Sequence, residues 1–227
     1  MKWWFSRKPR EPFIESYREK TSPRVPSKTP VAEMRFLAID AETTGFDLVK
    51  DRMLSLAFVE VIGGRLRVSS SHSWLIYQPA VPLSSAVSVH GILPAETATG
   101  QQEADVLREL LPRLEGAVLV GHHVGFDSAM ITAALKRHFR TSLKNPLLDT
   151  ATLAMDALDA FAKTGYPGQS TPSLDEVCAH CGIVPVDRHT AEGDAFTTAM
   201  LFLNLCARLQ RNIGRPLRAG DLPLAFQ

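Results

Sequence analysis

The sequence predicts a mixed α/β fold, a five-stranded sheet of three antiparallel strands followed by parallel ones, flanked by helices. Three observations predict it. Residues 34–77 hold three strand-like runs, MRFLAID, MLSLAFVEVI and RLRVSSSHSWLIY, and Gly63-Gly64 between the last two is a hairpin signal. From residue 103 onward, short apolar runs alternate with stretches of helical spacing, as parallel strands with helical crossovers do. The 227 residues, 45% apolar and 22% charged, have an ordinary globular composition and are enough for one good core.

Residues 1–30 are expected to be a basic, proline-rich arm, extended or loosely ordered, with a short helix around 13–20; Pro9, Pro12, Pro23, Pro26 and Pro30 oppose longer regular structure. Trp3, Trp4 and Phe5 are expected to dock on the body, with docking on a partner or a membrane surface as alternatives. The body spans 31–210 and a tail follows over 211–227. After the three strands comes an irregular stretch around VSVHGI. EADVLRELLPRL is then a helix that Pro112 is expected to distort or end early. AVLVGH is a short buried strand, DSAMITAALKRHF a helix, PLLD a strand end and TATLAMDALDAF a helix. SLDEVCAHCGI is a helix stopped by Gly182, and AEGDAFTTAMLFLNLCARLQ is the last and most apolar one.

A formal net charge of +1 gives no global argument for a polyanionic partner. The distribution is uneven, however: residues 1–30 carry eight basic and three acidic side chains, the remainder seventeen and twenty-one. Three cysteines, Cys178, Cys181 and Cys206, are too few for a disulfide framework and point to a reducing setting. MKWWFSRKP lacks the apolar core of a signal peptide, and no apolar run approaches the roughly 18 residues of a membrane span. A cytoplasmic protein is the expectation.

The chemistry-bearing residues are carboxylates at the ends of elements. Asp40 and Glu42 close the first strand, and side chains two apart on a strand share a face. Asp127 opens the helix after GHHVGF, and Asp194 lies in the first turns of the last helix. In α/β sheets the functional crevice lies by the carboxyl ends of the strands, which places Asp40, Glu42 and the loop before Asp127 on one side. Helical steps from Asp194 reach Thr198, Leu201, Leu205 and Arg208, a mostly apolar stripe, so its carboxylate is expected to need a partner or a metal. Arg35, Lys50, Arg52 and Arg188 are the candidate ion-pair partners.

An all-oxygen set of this kind suits Mg²⁺ or Mn²⁺, and two such ions about 3.5 to 4 Å apart serve phosphodiester cleavage. His189, five residues before Asp194, is the candidate general base. Each residue also has an ordinary role open to it: Asp127 as a helix cap, Asp194 at the positive end of its helix, Asp40 and Glu42 in ion pairs, and His189 as a surface histidine.

DAETTG at 40–45, GHHVGFD at 121–127 and HTAEGDA at 189–195 resemble, in order, the three motifs of the DnaQ-like 3′-5′ exonucleases. These form the DEDDh branch of the DEDD superfamily, with a ribonuclease H-like fold, and include the exonuclease domain of the DNA polymerase III epsilon subunit. VHGI at 89–92 and Asp149-Thr150 also resemble family positions, and the likeness covers about residues 34–209. It implies that Asp40, Glu42 and Asp194 hold two Mg²⁺ or Mn²⁺ ions, that Asp127 helps at the second, and that His189 deprotonates the attacking water. It further implies that Thr43 and Thr44 lie against the 3′-terminal nucleotide, that Phe46 touches the last base and that Phe126 packs behind Asp127. His123 stands where many relatives have Asn, near the substrate.

The implied activity is release of nucleoside 5′-monophosphates from the 3′ end of a single strand, with DNA favoured. An RNA-directed enzyme of the oligoribonuclease kind is the first alternative. A polymerase-associated binding module without the chemistry is the second, and the basic arm is where such a partner would attach. Cys178 and Cys181 form a CxxC in a helical pattern with no second such motif, so buried packing is expected there rather than zinc.

Overall fold

The apolar run Phe36 to Ile39 becomes the middle of β1 (Arg35–Thr43), around which the sheet is built. The computed structural model describes residues 11–79, 90–164 and 169–226, so Trp3, Trp4, Phe5 and Val89 lie outside the described residues. β1 pairs antiparallel with β2 (Met53–Ile62) and parallel with β4 (Val118–Gly121). β3 (Arg65–Leu75) pairs antiparallel with β2 at one edge, and β5 (Leu147–Asp149) pairs parallel with β4. β6 (Leu224–Ala225) closes the other edge antiparallel to β5, giving the order β3-β2-β1-β4-β5-β6. The sheet thus has six strands rather than the five expected. The sixth lies in the segment read as a tail and is two residues long, too short for alternation to reveal it.

Alternation along β1 divides the core. Phe36 and Ala38 face a cluster with Leu201, Phe202 and Leu205, whereas Leu37 and Ile39 face one with Leu107, Leu110, Ile131 and Leu135. The first cluster packs α5 (Thr150–Ala157), α6 (Leu174–Cys181) and α7 (Ala191–Ile213) on one face of the sheet. The second packs α1 (Pro12–Lys20), α3 (Glu103–Arg113) and α4 (Gly125–Phe139) on the other. The single turn α2 (Pro94–Thr97) lies before α3. Because strand side chains repeat every two residues, Asp40 and Glu42 continue the row of Phe36 and Ala38 and so face α7.

Pro112 does not end α3, which runs to Arg113. The proline sits in the final turn, and the carbonyl that loses its donor is that of Arg108, an exposed residue on the solvent side of the helix. Residues 12–20 are helical, as their spacing suggests, but the segment is tied to the body rather than extended. Ile14 and Tyr17 are buried. Tyr17 Oη donates to Asn145 Oδ1 at 2.5 Å and accepts from Lys144 N–H at 2.7 Å, and Asn145 Nδ2 donates to the carbonyls of Leu114 and Ala117. Further on, Val31 N–H donates to Leu217 O and Ala219 N–H to Thr29 O, strapping the segment before β1 to the one before β6. Among the described residues, no helix is long and apolar enough to cross a membrane.

Asn145 is fully buried with every polar side-chain atom paired, so Asn145→Ala leaves the buried Tyr17 hydroxyl proton without its acceptor and removes a donor from the carbonyls of Leu114 and Ala117. A stability loss of about 2 to 4 kcal/mol is expected. Urea denaturation checks it, with a lower midpoint and an unchanged slope as the expected result.

Candidate active site

The last four residues of β1, 40–43, carry both carboxylates on the α7 side, and α7 supplies a third. Asp40, Glu42 and Asp194 each place an oxygen within 4.8 Å of the others. Thr190 caps α7 by accepting from Gly193 N–H, which fixes the first turn that carries Asp194. Thr198, Leu201 and Leu205 are buried below it, as the helical stripe requires, while Arg208 at its end is half-buried and bonds Asn204. Asp127 belongs to the first turn of α4 and does not cap it; its buried carboxylate crosses to β1 and accepts from Ala41 N–H at 3.1 Å. A bond to the backbone between Asp40 and Glu42 thus docks the fourth carboxylate behind the trio. All four line one cavity of about 890 Å³, together with Phe46, His123 and His189.

Burial and mutual repulsion act on these groups in the same direction. Asp40 is pushed well above its ordinary range by desolvation, then by Asp127, Asp194 and Glu42. Desolvation and Asp194 raise Glu42 to about 7, and desolvation also raises Asp127 despite the bond from Ala41. Asp194 has unequal oxygens. Its Oδ2 accepts from the Arg188 guanidinium and from His189 N–H, whereas Oδ1 is buried with no hydrogen-bond partner. A buried carboxylate oxygen left without a partner is costly unless a cation or ligand completes it, so the donor set fits a hard divalent cation.

The backbone around the site is strained. Among the described residues, four non-glycine residues have positive φ, and His123, Asp187 and His189 are three of them. Such conformations cost energy and collect where function over-determines them. His123 at φ 62° occupies the left-handed region that, glycine aside, Asn, Asp and His enter most readily. The His123 side chain is exposed, and the backbone N–H of His123 donates to Asp149 Oδ1, which also caps α5. His189 is exposed as well, its backbone fastened to Asp194.

The Thr43 and Thr44 hydroxyls are committed within the loop. Thr43 donates to Gly45 O, and Thr44 donates to Asp51 while accepting from Arg52 N–H. Phe46 is 87% exposed, its ring 5.4 Å from that of Phe126, an apolar shelf beside the carboxylates. Trp74 is buried and bonds Glu109, so it offers no such shelf. Cys178 is buried and its thiol is raised to about 11 by desolvation, in keeping with packing rather than metal binding.

Sequence reasoning passed over one contributor to the site and left another among four candidates. His122 lies inside GHHVGFD yet had no assigned role; its ring bridges Thr150 Oγ1 and Pro172 O, and burial holds its pKa down at about 4. The neutral ring therefore donates from Nε2 to Pro172 and accepts at Nδ1 from Thr150, pinning the approach to α6. Arg188 is the one of the four basic candidates that reaches the cluster. Arg35 pairs with Glu60, Lys50 with Asp47, and Arg52 spends its Nη1 on loop carbonyls.

Carboxylates from the first strand and two helices, gathered on a mixed sheet at the end of a parallel strand pair, define an α/β fold of the ribonuclease H-like exonuclease class. Residues 37–202 match the model of the RNase T exonuclease family, and the chain belongs to that family. It is 35% identical over 188 residues to a DNA polymerase III subunit epsilon-like protein of Rhodobacter capsulatus, covering 81% of this chain and 25% of that protein. To the DNA polymerase III subunit epsilon of Aquifex aeolicus it is 30% identical over 174 residues, covering 77% and 81%. The PolC-type DNA polymerase III of Thermotoga maritima is 28% identical over 177 residues, 78% of this chain and 12% of that one. The chain therefore spans a quarter or less of several of the relatives it matches. Among solved structures, an Escherichia coli exonuclease I complex with single-stranded DNA shares the fold, with a TM-score of 0.65 at 20% identity over 80% of this chain and 42% of that one.

Two outcomes follow from the geometry. A Cβ on Gly193 would lie 2.2 Å from Val186 O and 2.3 Å from Asp187 O, so Gly193→Ala must displace the turn that carries Arg188 and His189. A stability loss of about 1 to 3 kcal/mol is expected in thermal unfolding. The second concerns pH. A carboxyl whose folded pKa lies above its ordinary 4.5 contributes stability that is full below about 4.5 and is lost as pH rises through about 7. Metal-free protein should therefore lose stability between pH 5 and 8, and Glu42→Gln should recover about 1 to 2 kcal/mol at pH 8 after screening at this half-buried position. Thermal midpoints in EDTA across that range check it.

Proposed function

We propose that this protein is a divalent-metal-dependent 3′-5′ exonuclease that hydrolyses single-stranded nucleic acid, DNA in preference to RNA, to nucleoside 5′-monophosphates. The observation that carries the reading is the unpartnered, buried Asp194 Oδ1 within 4.8 Å of Asp40 and Glu42 oxygens. Asp40, Glu42 and Asp194, with Asp127 behind them, would hold two Mg²⁺ or Mn²⁺ ions. When bound, these supply Lewis-acid stabilisation of phosphoryl oxygens and lower the pKa of a nucleophilic water.

The chain's own residues do the rest. His189, exposed at the cavity rim, accepts the proton of the attacking water at a ring nitrogen. Phe46, backed by Phe126, stacks on the terminal base. The backbone of Thr43 and Thr44, whose hydroxyls are engaged in the loop, borders the terminal nucleotide, and His123, which lines the same cavity, contacts it. Preference for DNA is supported by the naming of the relatives as DNA polymerase III subunits and by the single-stranded DNA in the exonuclease I complex. The same names support association with a DNA polymerase, with residues 1–10 as the attachment, because residues 11–30 are built into the body.

Matched single-stranded DNA and RNA oligonucleotides with Mg²⁺, Mn²⁺ or EDTA test the reading. Stepwise 5′-monophosphate release from the 3′ end is expected, abolished by EDTA and by Asp40→Ala. His189→Ala should reduce the rate about 10² to 10⁴-fold. Endonucleolytic products, or activity that survives in both variants, would contradict it. Deleting residues 1–10 should spare this activity and remove polymerase binding in a pull-down.

A further inference from the structure

Arg188 is the one Lys or Arg among the described residues that line the cavity. Its guanidinium is divided between two carboxylates. Nε and Nη2 donate to Asp175 at 2.7 and 3.1 Å, and Nη1 donates to Asp194 Oδ2. Asp175 is not part of the cluster. It sits in the first turn of α6 with its side chain 59% exposed, against 9% for Asp194. A side chain that only needed a partner would be satisfied by that two-bonded pair at the surface. Here the third bond carries a permanent positive charge to the edge of the carboxylate trio.

We propose that Arg188 is the resident counter-ion of the carboxylate cluster and Asp175 its tether, an arrangement that holds the metal-free site together at a cost in metal affinity. The inference rests on the reading of the cluster as a metal site. A guanidinium cannot shed its proton to make way, so a divalent cation entering the trio always meets this charge. The tether limits the effect: two bonds to Asp175 hold the guanidinium at the rim and leave Asp194 Oδ1 open. Loss of the arginine should therefore strengthen metal binding, and loss of the tether, which frees the guanidinium to fold onto the trio, should weaken it.

Calorimetric titration with Mn²⁺ in the absence of nucleic acid, with thermal midpoints in EDTA, separates these effects. Arg188→Gln is expected to bind Mn²⁺ about tenfold tighter, the factor Coulomb's law gives in water for a separation on the order of 6 Å. Its metal-free midpoint should fall. Asp175→Asn is expected to bind Mn²⁺ more weakly than wild type. A merely structural arginine would weaken binding in both variants, and that result overturns the proposal. Should Arg188→Gln not fold, Arg188→Lys keeps the charge without the fork. It is expected to bind no tighter than wild type, and tighter binding would overturn the proposal. Wild-type protein that takes up no Mn²⁺ counts against the metal site itself, whereas wild-type uptake with both variants weakened counts against Arg188 alone.

Discussion

The repulsion among Asp40, Glu42 and Asp194 is the constraint on which the rest of the structure depends. Two ionised carboxylates with oxygens about 4.8 Å apart would oppose each other by about 3 to 4 kcal/mol at an effective dielectric of about 20, and three ionised ones would make three such pairs, a cost that holds Asp40 and Glu42 above the ordinary carboxylate range. That is a large share of the stability of an ordinary domain. The chain meets it with a fixed dipole and a charge, His189 N–H and Arg188 on Asp194, while Ala41 N–H steadies Asp127 behind the trio. The strained backbone at Asp187 and His189, and the glycine that lets α7 press on that turn, are consequences of bringing those donors to Asp194.

The sheet is what holds such a site still. β1 is central and buried on both sides, so the positions of Asp40 and Glu42 are set by six strands rather than by a loop. The register slips between Glu42 and Thr43, where the strand leaves the ladder and the loop toward Phe46 begins. Such an irregularity re-aims the chain next to a site without disturbing the strand that carries the charges.

Much of this was legible in the sequence, for physical reasons. The strand through IDAET and the stripe below Asp194 follow from simple periodicity, and three short motifs in order placed five polar side chains in one cavity. The rest depends on partners far apart in the chain. Tyr17 and Asn145, 128 residues apart, turn a proline-rich segment into part of the core. β6 is too short to carry a pattern. Of four arginines and lysines near the motifs, only three-dimensional placement shows that Arg188 alone reaches the carboxylates. The hydroxyls of Thr43 and Thr44 look available in a string of letters but are spent on Gly45 and Asp51 in the fold.

The central claim is that a cation completes Asp194 Oδ1. Anomalous diffraction from crystals soaked in Mn²⁺ tests it most directly. The expected result is a peak beside Asp40, Glu42 and Asp194 Oδ1, with Arg188 still on Asp175. Density only away from these carboxylates, at Cys178 and Cys181 for example, or none at millimolar Mn²⁺ would contradict it.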